Sequence, residues 1–192
     1  MKHACWVVLL SLVATNVAWA GIVTDDFEDG TLAPFWEAVG DGEHTLVESG
    51  GRLNINAWGD GAWGGVASRF ELSGDFDVSV DFEDFNPGNA GDQAAFLSVL
   101  GTEGSAVAAI DVAGQSPFYK YVFAHGFSGV SVSTSDSSGA LRIARQGSAV
   151  SGYYRDGGSW VMLGTSDVGW TESASVELVA GYDYASSLGL TA

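Results

Sequence analysis

Two tryptophans and one aspartate on a glycine-rich stretch have the residue types that bind sugars. Trp58, Asp60 and Trp63 occur within Ala57-Trp-Gly-Asp-Gly-Ala-Trp-Gly-Gly65. Sugar rings present apolar C–H faces, for which an exposed indole is a large and stiff partner, and a neighbouring carboxylate can accept hydrogen bonds from sugar hydroxyls. These three residues therefore predict a glycan-binding site. The alternative is that one or both indoles close the end of a hydrophobic core.

A second group of candidate ligands is acidic. The segment Thr24-Asp-Asp-Phe-Glu-Asp-Gly30 holds four carboxylates around one aromatic residue, on Asp25, Asp26, Glu28 and Asp29. Calcium prefers several oxygen ligands, and a turn closed by glycine can direct carboxylates to one point. The spacing does not match an EF-hand loop. The segment predicts a structural calcium site, and the alternative is a strand start with Phe27 in the core and solvated acids around it.

A third group lies on one strand. Residues 75–84 alternate strictly between apolar and polar side chains, which is typical of a strand with one face in the core and one in water. The polar face carries Asp77, Ser79, Asp81 and Glu83. Glycoside hydrolysis uses two carboxylates that flank the scissile bond. Asp77, Asp81 and Glu83 are therefore candidates either for binding sugar hydroxyls or for acid/base chemistry.

Aromatic residues also recur in residues 118–125. Tyr119 and Tyr121 share one strand face with Phe123, and Lys120 lies on the other face. One of these two faces must pack in the core. We assign Tyr119 and Tyr121 to the candidate ligand-binding set; if Phe123 points inward instead, Lys120 is left on a solvent face as a hydrogen-bond donor.

The sequence lacks the motifs for a serine nucleophile, a phosphate-binding loop or a zinc site. There is no Gly-x-Ser-x-Gly motif for a serine nucleophile and no phosphate-binding loop. His44 and His125 are the only histidines after residue 20, which is too few for a zinc site without cysteine.

The first twenty residues have the pattern of an export signal. Lys2 precedes an apolar run over residues 5–13, and Ala18-Trp-Ala20 forms a small-x-small cleavage pattern before Gly21. The run is shorter than the roughly 20 residues that cross a bilayer, and no later segment approaches that length. We therefore expect residues 1–20 to be removed, together with Cys5. Residues 21–192 should form a single secreted or extracellular domain without disulfides or membrane insertion.

The charge balance excludes several partners. The chain carries 24 acidic and 7 basic residues, for a formal net charge of −17. Nucleic acids and anionic membrane surfaces require a basic patch. Most of the acidic residues are interpreted as solvated surface, which suits a salty environment where repulsion is screened; cation binding is the alternative.

The apolar pattern predicts an all-β fold. Short alternating runs are separated by Gly, Asp, Asn and Ser, and about a dozen strands can be counted. Residues 94–100 and 106–112 are apolar on both sides and should be central strands. After the strand at 175–182 only residues 183–192 remain, which predicts a missing closing strand or an exposed sheet edge.

Three features together resemble the concanavalin A-like lectin/glucanase superfamily, in particular its laminin-G-like bacterial secreted modules. They are the acidic opening, the strand pattern and the segment Gly139-Ala-Leu-Arg-Ile-Ala-Arg-Gln-Gly-Ser-Ala-Val-Ser-Gly-Tyr-Tyr-Arg-Asp-Gly-Gly-Ser-Trp160. The resemblance implies an antiparallel β-sandwich jelly roll with ligands on its concave sheet or on the loops at the rim. It also implies structural calcium near a sandwich edge, where the acidic opening could hold it.

The glucanases of this superfamily carry a catalytic strand of the type Glu-x-Asp-x-Glu. The nearest match is Ser79-Val-Asp81-Phe-Glu83, in which a serine replaces the nucleophilic glutamate. A hydroxyl group without an adjacent base cannot form the glycosyl intermediate. We therefore assign no catalytic residue.

These observations predict a secreted, non-catalytic, lectin-like module with a polysaccharide or glycan ligand. Two other functions remain open. One is an extracellular structural or surface protein without a specific glycan. The other is a polysaccharide hydrolase or lyase that uses Asp77, Asp81 and Glu83.

Overall fold

The computed structural model describes residues 4–7, 22–86, 93–102, 104–112, 119–125, 128–167, 169–170 and 172–182. These residues form twelve strands: β1 Ala4–Val7, β2 Trp36–Glu48, β3 Leu53–Ser68, β4 Phe76–Glu83, β5 Gln93–Gly101, β6 Gly104–Val112, β7 Tyr119–His125, β8 Ser128–Thr134, β9 Gly139–Gln146, β10 Ala149–Asp156, β11 Ser159–Asp167 and β12 Ala174–Tyr182. Within the described ranges, no helix is long and apolar enough to cross a bilayer. The predicted all-β class with about a dozen strands is confirmed.

The strands form one hydrogen-bonded path that folds into two antiparallel layers. The order is β11-β10-β9-β4-β1-β3-β12-β5-β6-β7-β8, and β2 pairs with β3. The path changes layer along the sixteen-residue strand β3. Leu53–Ile55 pair with β1, whereas Trp63–Ala67 pair with β12. The strand β1 lies inside the segment predicted to be an export signal, and most of that segment is outside the described residues.

The core lies between the two layers. The strand β4 alternates as predicted, and its apolar side chains Phe76, Val78, Val80 and Phe82 are all buried. The two predicted central strands, β5 and β6, are buried on both faces. Tyr121 of β7 crosses the core to stack on Tyr154 of β10, with ring centroids 4.5 Å apart.

The strand β8 buries its apolar side chains only in part. Val130 and Val132 pair with the buried residues Phe123 and Tyr121, so they lie on the core-facing side of β8. Their side chains nevertheless remain 50% and 41% exposed. The reason is that β8 ends the strand order, so its inner face is only partly covered by the opposite layer.

The spacing between the layers depends on a glycine. A Cβ at Gly152 of β10 would overlap the ring of Phe123 on β7, and Phe123 is 3% exposed. We expect Gly152→Ala to lower the free energy of unfolding by about 1–3 kcal/mol, because overpacking forces side chains and backbone to shift. Urea unfolding measures this loss.

Gly129→Ala on β8 is the control, because a Cβ there meets only ordinary contacts at 3.6 and 3.7 Å. Phe123→Leu should partly restore stability to Gly152→Ala. If Gly152→Ala is as stable as Gly129→Ala, β7 and β10 do not pack as described.

Candidate functional site

The outward face of β4 carries three carboxylates, and each of them pairs with an arginine. Arg142 of β9 forms a bidentate pair with Asp77, with its Nε 2.6 Å from Asp77 Oδ1 and its second arm bonded to Asp77 Oδ2. Arg155 of β10 lies 2.9 Å from Asp81 Oδ1, and Arg52 forms an ion pair with Glu83. We call these three pairs the arginine ladder.

The strand register explains the arginine ladder. Ser79 of β4 lies opposite Arg142, which lies opposite Tyr153 of β10. The guanidinium of Arg142 stacks 4.9 Å from the centre of the Tyr153 ring. Trp160 of β11 is contacted by the guanidinium groups of both Arg142 and Arg155, at 5.6 and 4.7 Å. Cation–π contacts of this kind occupy the face of the indole.

The surroundings of the arginine ladder shift the pKa of two of its members. The hydrogen bond that Arg142 donates to Asp77 raises the pKa of Arg142. Burial raises the pKa of Asp81, and the charge of Arg155 opposes that rise. Since each of the three carboxylates accepts an arginine, none is placed as an unpaired nucleophile. The sequence analysis selected the three acids but missed their arginine partners, although Arg142 falls on the polar face of an alternating strand.

Trp58 is the exposed aromatic residue of the described part of the chain. Its side chain is 48% exposed, in the middle of the hairpin formed by β2 and β3. Leu53 and Ile55 point to the core. Because side chains alternate along β3, Asn56 and Trp58 both point away from the core. Glu43 lies opposite Trp58, and Asn56 Nδ2 donates to Thr45 Oγ1 at 3.4 Å. We call Trp58, Asn56, Thr45 and Glu43 the Trp58 face.

A bulge separates the two tryptophans of the candidate sugar site. Trp63 lies opposite Asp41 and Trp58 opposite Glu43, so residues 59–62 of β3 face only Gly42 of β2. Gly42 and Gly61 have φ of 70° and 73°, which glycine adopts readily. Trp63 is half-buried, and the side chain of Asp60 lies outside the described residues. Trp58 is thus the member of the set that the structure places at the surface.

The two tyrosines of the candidate set face the core. Tyr121 is 0% exposed, its hydroxyl donates to Asp136 Oδ2 at 3.3 Å, and burial raises its pKa. Tyr119 is half-buried and packs edge-on against Phe85, with ring centroids 5.4 Å apart. Because Tyr121 has no solvent-exposed surface, it does not line a groove with Trp58. Lys120 lies on the opposite face of β7, across from Asp111.

The acidic opening forms turns rather than a regular strand. Asp25 Oδ1 accepts a hydrogen bond from the N–H of Phe27 at 2.9 Å, and Asp25 Oδ2 accepts from Trp36 Nε1 at 3.0 Å. Asp29 Oδ1 accepts from the N–H and hydroxyl of Thr31 at 2.9 and 3.1 Å. Phe27 is buried with a φ of 51°, and the N–H of Glu28 bonds to Asp26 Oδ1 at 3.3 Å. In the described ranges no three His, Cys, Asp or Glu side chains stand as ready-made metal ligands.

One buried carboxylate was missed by the sequence analysis. Glu48 ends β2, its side chain is 9% exposed, and neither of its carboxylate oxygens has a hydrogen-bond partner. Burial raises the pKa of Glu48 to about 7, with further contributions from Asp25 and Asp29. The alternation of β2 could have suggested an inward side chain at this position, but a glutamate there gave no reason to expect burial.

Comparison with known proteins identifies the fold. No protein-family model and no curated protein sequence matches the chain. Among solved structures, the chain is similar to the CBM2 module of the evolved Dit of Lactobacillus casei BL23 phage J-1, with a TM-score of 0.60 and 9% identity over 95% of this chain and 90% of that one.

Two enzyme structures are also similar. A mutant of the GH43 protein BlXynB from Bacillus licheniformis gives a TM-score of 0.52 and 16% identity, over 81% of this chain and 38% of that one. The Bacillus licheniformis β-glucanase gives 0.50 and 12% identity, over 86% and 87%. At these identities the similarity shows a shared β-sandwich fold.

Proposed function

We propose that this protein is an exported, non-catalytic module that binds a neutral polysaccharide. The observation that carries the proposal is Trp58, whose indole is half exposed on a rigid two-stranded hairpin. Exposed aromatic rings are costly in water unless a partner covers them, and sugar C–H faces are suitable partners. Export is supported by the pattern of residues 1–20.

The Trp58 face supplies the polar groups that such a ligand needs. Glu43 lies opposite Trp58 and has an exposed carboxylate, and Asn56 and Thr45 offer amide and hydroxyl groups on the next pair of residues. Sugar hydroxyls both donate and accept hydrogen bonds, so this mixture of donors and acceptors fits them. The backbone of Asp60, predicted from the sequence to be a ligand residue, belongs to the bulge that follows Trp58.

The strong negative charge of the protein favours an uncharged ligand. The formal net charge of −17 repels uronic acids and sulfate esters at the distances over which ligands approach, especially at low salt. The arginines that could attract an anion are held by carboxylates in the arginine ladder. A glycan without charged groups avoids this repulsion.

The arginine ladder supports binding rather than hydrolysis. A glycosidase needs one carboxyl group that donates a proton and a second that acts as base or nucleophile. Asp77 accepts two hydrogen bonds from Arg142, one on each carboxylate oxygen, so neither oxygen is free of a partner. Ser79 stands where the glucanase pattern has its nucleophile. We infer that Asp77, Asp81 and Glu83 hold the sheet together and contact ligand only at their exposed edges.

The structural neighbours are consistent with this proposal. They are a CBM2 module, a GH43 protein and a β-glucanase. These names fit a distant relationship to the concanavalin A-like lectin/glucanase superfamily. Within the segment that carries the resemblance, Asp156 pairs with Ser159 at the turn of the β10–β11 hairpin.

A glycan array tests the proposal. The purified protein should be retained on at least one neutral polysaccharide, such as a glucan, xylan or mannan, and not on their uronic acid or sulfated counterparts. Raising the salt concentration should leave retention on the neutral glycan unchanged, because no ion pair is formed. Absence of retention on every glycan, or retention on anionic glycans alone, would overturn the proposal.

A further inference from the structure

One side of the sandwich exposes apolar side chains that face the core. Val130 and Val132 lie on the core-facing side of β8. Val161 of β11 lies opposite Tyr154, whose ring stacks on Tyr121 inside the sandwich. All three valines are nevertheless 36% to 50% exposed. The described residues therefore leave the core partly uncovered along β8 and β11.

The strands β8 and β11 are the two ends of the strand order, and they lie against each other. β11 ends one layer and β8 ends the other. A Cβ at Gly164 of β11 would lie 3.6 Å from Val130 Cγ2, and Ser166 Oγ of β11 lies 3.0 Å from His125 Nδ1 on the neighbouring strand β7. The opposite side of the sandwich is closed by β3, which pairs in both layers. Two sheet edges thus meet where the valines are exposed.

The outer edge of β8 lacks the features that usually prevent an edge strand from pairing with another chain. Its seven residues, Ser128–Thr134, include no charged residue and no proline. Its register with β7 is unbroken, and the side chains of residues 129–133 are exposed. Natural edge strands are commonly protected by charges, prolines or bulges, because their free N–H and C=O groups can pair with a further strand.

The other outer strands have this protection. β2 carries Glu37, Asp41 and Glu43 and is interrupted by a bulge. The pairing of β11 with β10 shifts register after Gly152, and β11 ends in Asp167. Among the described strands, β8 is therefore the edge best suited to accept another strand.

The charge of the protein favours a second copy of the same chain as the partner at β8. The formal net charge of −17 makes two copies repel each other when their acidic surfaces meet. A contact through β8 places no carboxylate against another carboxylate, because β8 has none. A two-fold contact uses the same patch on both subunits, so an uncharged strand meets an identical uncharged strand of equal length.

We propose that two copies of the protein form a two-fold dimer in which their β8 strands pair antiparallel, centred on Ser131. Ser131 is the middle residue of β8, so pairing along the full strand places it opposite Ser131 of the second copy. The pairing satisfies backbone groups at the outer edge of both strands. It also brings Val130 and Val132 of the two copies together and covers part of their exposed surface.

The mass of the full chain in solution tests for the dimer. Sedimentation equilibrium should give a reversible monomer–dimer equilibrium with a Kd on the order of micromolar, because an interface built on one strand pair is small. The dimer fraction should increase from about 0.1 to about 1 M NaCl, over which the Debye length falls from about 10 Å to about 3 Å and repulsion is screened. Neither measurement involves a glycan.

A cysteine at the centre of β8 tests the register. Opposite residues of an antiparallel pair have Cα atoms about 4.5–5.5 Å apart, which lies within the range that a disulfide spans. Ser131→Cys should therefore form a covalent dimer on mild oxidation, seen on a non-reducing gel. Ser159→Cys, on the exposed β10–β11 turn, is the matched control and should stay monomeric on that gel. Wild type under the same conditions reports any effect of Cys5.

A charge at the same position should break the dimer. Ser131→Asp places two carboxylates directly opposite each other, which is unfavourable across a strand pair. The Kd of the dimer should rise at least about tenfold, which corresponds to about 1.4 kcal/mol. Ser159→Asp adds the same charge elsewhere and should leave the Kd within about twofold of the wild-type value. Because Ser131 is exposed, the Ser131→Asp monomer should keep its fold and its circular dichroism spectrum.

Two results would overturn the proposal. The first is a monomer mass for the wild-type protein at about 100 µM in about 1 M NaCl, well above the expected Kd. The second is a dimer that Ser131→Asp does not weaken and that Ser131→Cys does not cross-link, which would place the contact on another surface.

Discussion

Replacing Trp58 with alanine should weaken binding of the neutral glycan at least about tenfold and leave Tm within about 2 °C of the wild-type value. Tenfold corresponds to about 1.4 kcal/mol of binding free energy, which is modest for an aromatic anchor at a binding surface. Stability should hardly change because the indole is already 48% exposed in the free protein. Isothermal titration with an oligosaccharide from the retained polysaccharide measures the change in Kd.

Two controls separate this effect from general loss of structure. Trp58→Phe keeps an aromatic plane and should retain much of the affinity. Ile22→Ala changes an exposed apolar residue outside the β2–β3 hairpin and should bind like the wild type. If Trp58→Ala binds as tightly as Ile22→Ala, the ligand does not contact the Trp58 face.

The second large effect is on stability and depends on pH. The free energy of unfolding should fall by up to about 3 kcal/mol as pH rises from about 4.5 to about 7. The folded protein holds the Glu48 proton up to a pKa of about 7, whereas the unfolded chain releases it near the ordinary value of 4.5. Over this interval the folded state binds more protons than the unfolded state, so stability decreases with rising pH and levels off above 7.

Glu48→Gln isolates this contribution. The variant has no proton to lose at this position, so the decrease between pH 4.5 and 7 should shrink by the amount that Glu48 supplies. Asp25 and Asp29 face Glu48 and are present in both proteins, so their contribution cancels in the comparison. Urea unfolding at half-unit pH steps measures the difference. Parallel pH profiles for Glu48→Gln and wild type would contradict a buried, unpaired carboxylate.

Much of the fold could be predicted because alternation is a local signal. The strand at residues 75–84 alternates so strictly that its buried face was predicted correctly, and β4 confirms it from Phe76 to Glu83. The two central strands were recognised from unbroken apolar runs, and both are buried. Hydrophobic periodicity reports burial directly, so these predictions needed no knowledge of tertiary contacts.

The features that depend on pairing between distant strands could not be predicted in this way. The arginine ladder requires β9 to pair with β4 and β10 to pair with β9, although both strands come more than fifty residues after β4 in the chain. Tyr121 carries a polar group, and the opposite face of its strand offers the apolar residues Val122 and Ala124. Only the contacts of Tyr121 with Phe82 and Tyr154 show which face is inside. Glu48 is a charged residue at a buried position, which propensity argues against. In each case the deciding partner is remote in sequence.

Affinity electrophoresis of wild type and Trp58→Ala side by side, in native gels with and without neutral polysaccharide, tests carbohydrate binding through Trp58 most directly. Wild type should be retarded by at least one polysaccharide, and Trp58→Ala should migrate there as it does in the gel without polysaccharide. Equal migration of the wild-type protein in every gel, or equal retardation of both proteins, would contradict glycan binding by the Trp58 face.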